Sequence, residues 1–154
     1  MEVSGSAEAE VAASRERCFA ILTAYEAFPQ WWPGCTSASL LTAGGPGEQD
    51  VALVFDTRSP IGEVDCTVRF RVDPPQRVWP QRLSGRLKRL DGDGWVLTDR
   101  SDGTTAVRYA AAAEMDTGLP GFVERAFRDK AKHFFIDAPV EALKRRAEAG
   151  SQPP

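Results

Sequence analysis

The chain holds a single histidine and three cysteines among 154 residues. One imidazole and no CxxC leave no recognisable zinc site. Cys18, Cys35 and Cys66 are odd in number and widely spaced, which points to reduced thiols filling the core of a cytoplasmic protein. No GxSxG, Walker A or GxGxxG occurs, so an activated serine or a phosphate cradle is not expected. No apolar run approaches the roughly 20 residues a membrane-spanning helix needs. The first ten residues, MEVSGSAEAE, are acidic and lack the apolar stretch of a signal peptide. The formal net charge of −3 is spread out with no long basic tract, which argues against nucleic acid as a partner. No metal and no cofactor are expected.

What remains is ordinary material for one globular domain. Hydrophobic residues make up 42% and charged residues 27% of the chain, enough for a substantial core. The expected domain covers residues 1–149, with 150–154 as a flexible tail. The densest feature is Tyr25 to Gly34, YEAFPQWWPG, with four aromatics and two prolines. Proline removes a backbone donor and restricts the residue before it, so such a cluster suits a junction between regular elements. Phe28, Trp31 and Trp32 are expected to cover something apolar at a helix-to-sheet joint.

The period of the sequence divides the rest. Glu8 to Ala12 can serve as an edge strand, and Ser14 is a plausible N-cap for a short helix carrying Cys18, Phe19, Ile21 and Leu22 up to Thr23. From Thr36 onward, turn signals recur at Gly44-Gly45-Pro46-Gly47, Ser59-Pro60-Ile61-Gly62, Asp73-Pro74-Pro75, Asp91-Gly92-Asp93-Gly94 and Ser101-Asp102-Gly103. Short strands fill the intervals. Val64, Cys66, Val68, Phe70 and Val72 alternate with polar residues, as do Val107, Tyr109, Ala111, Ala113 and Met115. The apolar face of this antiparallel meander must be covered.

A helical segment from about Pro120 to Ala149 can cover it. Val123, Phe127, Ala131, Phe134, Phe135 and Ala138 fall in one sector of a helical wheel. Beyond Pro139, which costs a hydrogen bond to the Phe135 carbonyl, the apolar set is Ile136, Val140, Leu143 and Ala147, nearly opposite the first. Either the helix breaks near Asp137, or its last turns pack on another surface. Gly150 suits a C-cap.

The blocks VAASRERCFAILTAYEAFPQWWPG and GRLKRLDGDGWVLTDRSDGTTAVRY, with a closing helix starting TGLPGFVERAF, resemble the START-like superfamily. Its bacterial members include the polyketide cyclase/dehydrase and lipid-transport proteins, and the resemblance runs from Val11 to about Ala149. It implies an α+β helix-grip fold. A curved antiparallel sheet of about seven strands would wrap a long C-terminal helix, with two short helices after the first strand and an apolar cavity between sheet and helix. It also favours a kinked continuous helix over two separate ones.

Under that reading the candidate ligand-binding residues are Phe28, Trp31, Trp32, Phe55, Phe70, Trp95, Tyr109, Phe127, Lys130 and Phe134. Each has a plain alternative. The aromatics can be core, and a buried Tyr109 phenol then needs a partner. Lys130 sits beside the apolar sector, so it either reaches a ligand or lays its stem along apolar surface with its ammonium in water. His133 pairs most simply with Asp137 on the surface. Trp79 before Pro80 suggests an edge or a bulge, and strand alternation turns Arg69 toward solvent. No catalytic residue is assigned.

The leading functional expectation is binding of a hydrophobic small molecule, a lipid, quinone or polyketide-like compound. The alternative is an aromatase/cyclase that folds a poly-β-ketone chain, with Lys130 or Tyr109 assisting proton transfer. A third reading is a protein-interaction module on the same fold. Whether the chain is an enzyme, and its oligomeric state, stay open at this level.

Overall fold

The computed structural model describes residues 1–41 and 45–149. Two sequence-level expectations, a turn residue at Gly44 and a C-cap at Gly150, lie outside the described residues, as does the tail 151–154. The elements run in the order β1 (Glu2–Val11), α1 (Arg15–Thr23), a 3-10 turn (Tyr25–Gln30), β2 (Cys35–Leu40), β3 (Glu48–Asp56), β4 (Glu63–Asp73), β5 (Arg77–Gly85), β6 (Leu87–Asp99), β7 (Thr105–Met115), α2 (Gly121–Lys132) and α3 (Ala138–Ala149). A π-helical turn, His133–Asp137, joins α2 to α3. This is the expected helix-grip arrangement.

The strands among the described residues form one antiparallel sheet in the order β1-β7-β6-β5-β4-β3-β2, with β1 and β2 at its edges. The alternating residues of β4 and β7 behave as their period requires. Val64, Cys66, Val68 and Phe70 are buried, as are Val107, Tyr109, Ala111, Ala113 and Met115. Ser14 caps α1 by accepting a 3.1 Å hydrogen bond from the Arg17 backbone N–H.

Three details differ from the sequence reading. The first strand starts at Glu2 rather than Glu8, because Glu2 to Val11 pair with β7 along their full length. The Asp91–Gly94 stretch is no turn. It lies inside β6 as a bulge between Asp91 and Gly94, and the hairpin before it turns at Gly85 and Arg86. Gly94 has a φ of 68°, and a side chain there would sit 2.7 Å from the Trp79 Cα, so glycine lets the β5 backbone approach. The helix neither breaks nor simply kinks at Pro139. The ladder has already changed register, with the Ala138 N–H bonded to the His133 carbonyl, five residues back.

β5 and β6 pair only at Arg77–Val96 and Val78–Trp95. Beyond Val78 the two strands part. Pro80, which has no N–H to donate, sits where no β6 partner waits. Trp79, just before it, carries the Arg77 guanidinium 4.1 Å from its ring centroid. Arg86 ties the far corner together, with its Nη1 donating to the Ile61 carbonyl at 2.5 Å and the Glu63 carbonyl at 2.6 Å.

Candidate functional site

Between the concave face of the sheet and the helix lies an apolar cavity of about 50 Å³. Sheet residues supply most of its wall: Leu53 and Phe55 from β3, Val64, Cys66, Val68 and Phe70 from β4, Pro80 from β5, Leu87, Leu90 and Trp95 from β6, and Tyr109 from β7. Trp32 closes one side, and Phe134 and Phe135 from the π turn close another. The space left holds a few waters at most. A larger body must displace one of these rings.

The aromatic junction sorts into three roles. Trp32 is the residue of that segment that reaches the cavity, edge-on to Trp95 (5.7 Å between ring centroids), Tyr109 (6.2 Å) and Phe55 (6.1 Å). Phe28 is buried behind it, against Tyr25, Trp31 and Phe70. Trp31 turns toward the outside, along grooves flanked by α1 and by Pro33 to Thr36, and its Nε1 is buried without a hydrogen-bond partner. Gly34 then makes room for the helix. At φ 80° it leaves the space in which the tip of the Phe134 ring sits.

Of the strand aromatics, Phe55, Phe70, Trp95 and Tyr109 all line the cavity. Trp95 is 1% exposed and stacks on Tyr109 at 4.4 Å. The Tyr109 side chain makes no hydrogen bond among the described residues, and burial pushes its phenol well above the ordinary tyrosine range. Cys66 stands near it, its thiol pushed up to about 12 by burial and, to a lesser degree, by Asp65 and Cys35. Both groups therefore keep their protons. The hydrogen-bond donors in the lining are the Tyr109 hydroxyl, the indole N–H groups of Trp32 and Trp95 and the weak thiol of Cys66, and the lining has no carboxylate or imidazole.

Lys130 and Phe127 do not line this cavity. They line a second one, of about 110 Å³, with Arg58, Ile61 and the same Phe134 and Phe135. Lys130 is exposed, its ammonium 5.8 Å from the Phe127 ring centroid. His133 Nδ1 lies 3.6 Å from Asp137 on the surface. Arg69 is half-buried in an ion pair with Asp50 at 2.8 Å, away from the cavity. The three cysteines are free and buried. Among the described residues, no group of three His, Cys, Asp or Glu residues converges as a metal site would require. No helix among them is long and apolar enough to cross a membrane.

Sequence reasoning passed over several of the wall residues. Val64, Cys66 and Val68 share the face of Phe70, so the alternation already placed them inward. Phe135 already stood in the apolar sector of the helical wheel, whereas Pro80 and Leu90 had no such signal. The place of those two depends on the parting of β5 from β6.

The family model for polyketide cyclase/dehydrase and lipid transport matches residues 2–148. The chain belongs to that family. Solved structures agree with this polyketide cyclase/dehydrase and lipid-transport fold. The Zhui aromatase/cyclase from Streptomyces sp. R1128 is 17% identical, with a TM-score of 0.78 over 99% of this chain and 97% of that one. A START superfamily protein from Mycobacterium smegmatis is 18% identical, with a TM-score of 0.73 over 95% and 97%. The STAR-related lipid transfer protein from Xanthomonas axonopodis is 19% identical, with a TM-score of 0.75 over 92% and 84%. No curated protein matches. At these identities the structural likeness is one of fold.

Proposed function

We propose that this family member binds a hydrophobic small molecule, of lipid, quinone or polyketide type, in the cavity between sheet and helix. The observation that carries the reading is the mostly apolar wall between sheet and helix, with the Tyr109 hydroxyl, which makes no hydrogen bond among the described residues, set into it. A hydroxyl facing an apolar cavity is a donor that a ligand carbonyl or hydroxyl can engage on binding. Trp32, Phe55, Phe70, Trp95 and Phe134 supply the apolar contact surface around it.

The family name and the aromatase/cyclase neighbour raise the second reading, cyclisation of a poly-β-ketone. Tyr109 could polarise a ketone by donating a hydrogen bond. A base to remove the α-proton is missing from the lining, since Tyr109 and Cys66 both hold their protons. That balance favours binding.

The test has two parts. Native mass spectrometry of the purified protein should show a co-purifying hydrophobic mass. Titration with 2-naphthylmethanol should quench the tryptophan fluorescence saturably in the wild type. Leu90→Trp, which fills the gap between β5 and β6, should abolish that response. A wild-type protein that carries no ligand and gives no saturable response would remove the reading.

A further inference from the structure

We infer that Arg58 and Lys130 form a cationic lip that takes the carboxylate of an amphipathic acid whose apolar body lies in the cavity. The inference rests on the binding reading above and narrows its ligand class.

The second cavity has an apolar floor and two charged walls. Phe127, Phe134, Phe135 and Ile61 form the floor, Arg58 comes from the β3–β4 hairpin, and Lys130 comes from the facing helix α2. Phe134 and Phe135 border both cavities, so these two rings stand between them. A ligand entering there passes the cations first and leaves its trailing end beside them.

Neither cation is spent. Arg69, Arg71, Arg89, Arg100 and Arg108 each have a carboxylate within 4 Å. Among the described residues Arg58 and Lys130 have no ion pair, and the ammonium of Lys130 has only the face of Phe127. The neighbouring Asp56 carboxylate makes no ion pair with the Arg58 guanidinium among the described residues. Asp56 Oδ1 accepts the Arg58 backbone N–H at 2.9 Å and so holds the turn. That turn is unusual, because Arg58 has a φ of 51°, a left-handed conformation few non-glycine residues adopt. Thr57 Oγ1 braces it by donating to the Gly62 carbonyl at 2.7 Å. The hairpin thus presents the guanidinium toward the helix at a backbone cost.

The chemistry selects the head group. The Arg58 guanidinium offers the planar fork that a carboxylate engages bidentately, and the Lys130 ammonium, lining the same cavity, adds a second positive charge. Both side chains are exposed, so the contribution is modest and screened by salt.

Isothermal titration with two probes of one ring system tests this: 2-naphthoate and 2-naphthylmethanol. The wild type should bind the acid roughly five- to tenfold more tightly than the alcohol at low salt, and raising the salt should shrink that preference. Arg58→Gln and Lys130→Gln should each reduce the preference while leaving the alcohol affinity unchanged. Equal affinities for the two probes in the wild type would overturn the lip, and the alcohol would then still uphold the cavity. So would variants that weaken acid and alcohol alike. Binding of neither probe would overturn both readings.

Discussion

Replacing Gly34 with alanine should test how the aromatic junction and the helix fit together. A Cβ built on Gly34 lies 2.6 Å from Phe134 Cε2 and 2.9 Å from the Asp56 carbonyl oxygen, and it meets the tip of the same ring still more closely. Two costs arise. Holding alanine at a φ of 80° costs about 1–2 kcal/mol. Crowding the ring adds about 1–3 kcal/mol, as overpacking usually does. The expected loss is therefore about 2–5 kcal/mol, read as a lower urea midpoint at unchanged m-value. The two costs separate in a double-mutant cycle with Phe134→Leu. The shorter side chain should remove most of the crowding and leave the backbone cost, giving a favourable coupling of about 1–3 kcal/mol. Additive behaviour in the cycle would refute the claim that Gly34 is the seat of Phe134. Binding of 2-naphthylmethanol supplies a second readout, because a displaced Phe134 ring changes the cavity it borders.

The cavity groups lead to two further outcomes. Tyr109→Phe should leave stability unchanged or raise it by up to about 1 kcal/mol, since it removes an unpaired hydroxyl. It should weaken binding of a naphthyl ketone several-fold without affecting naphthalene itself, and equal losses for both ligands would show that the hydroxyl does not read the ligand. Stability should also fall at alkaline pH. Burial raises the thiol of Cys35 from 9.0 to about 11 and that of Cys66 from 9.0 to about 12, and the phenol of Tyr25 from 10.0 to about 12. These groups favour the folded state fully below their unfolded values. Above about pH 9 the unfolded chain ionises first, and stability is lost progressively toward pH 12. Urea midpoints measured across that range check the sign, and Cys66→Val should flatten the slope.

How much of this was legible depends on whether local pattern or distant packing decides. The inward faces of β4 and β7 were readable because a two-residue period needs no knowledge of the partner strand. The Ser14 cap was equally local. β1 was read short because Ser4, Gly5 and Ser6 are poor strand formers, and only the pairing with β7 holds them extended. Asp91-Gly92-Asp93-Gly94 has the composition of a turn, yet the same glycines also permit a bulge. The choice was made by the β7 and β5 backbones pressing on it. Which of Trp31 and Trp32 faces inward depends on how the 3-10 turn ends, and no period marks that. Arg58 gave no signal at all, because its role depends on a helix some seventy residues later in the chain.

The π turn accounts for a large part of the one pattern that local reading found and could not resolve, the jump of the apolar stripe. One extra residue in the ladder rotates the later turns of the helix by roughly 100°, the angle of a single step at 3.6 residues per turn. Phe134 and Phe135 can then face the cavity while Val140, Leu143 and Ala147 pack on β1 and α1. The insertion also divides the helix by how firmly it is held. α3 has five buried residues, whereas α2, which covers the second cavity, has only Ala131. Arg17 reinforces α3 by donating from Nε to the Ala147 carbonyl at 2.8 Å. Displacing α2 therefore exposes little apolar surface, and displacing α3 would uncover the core. Entry to the cavity is cheapest on the α2 side, past the two phenylalanines of the π turn.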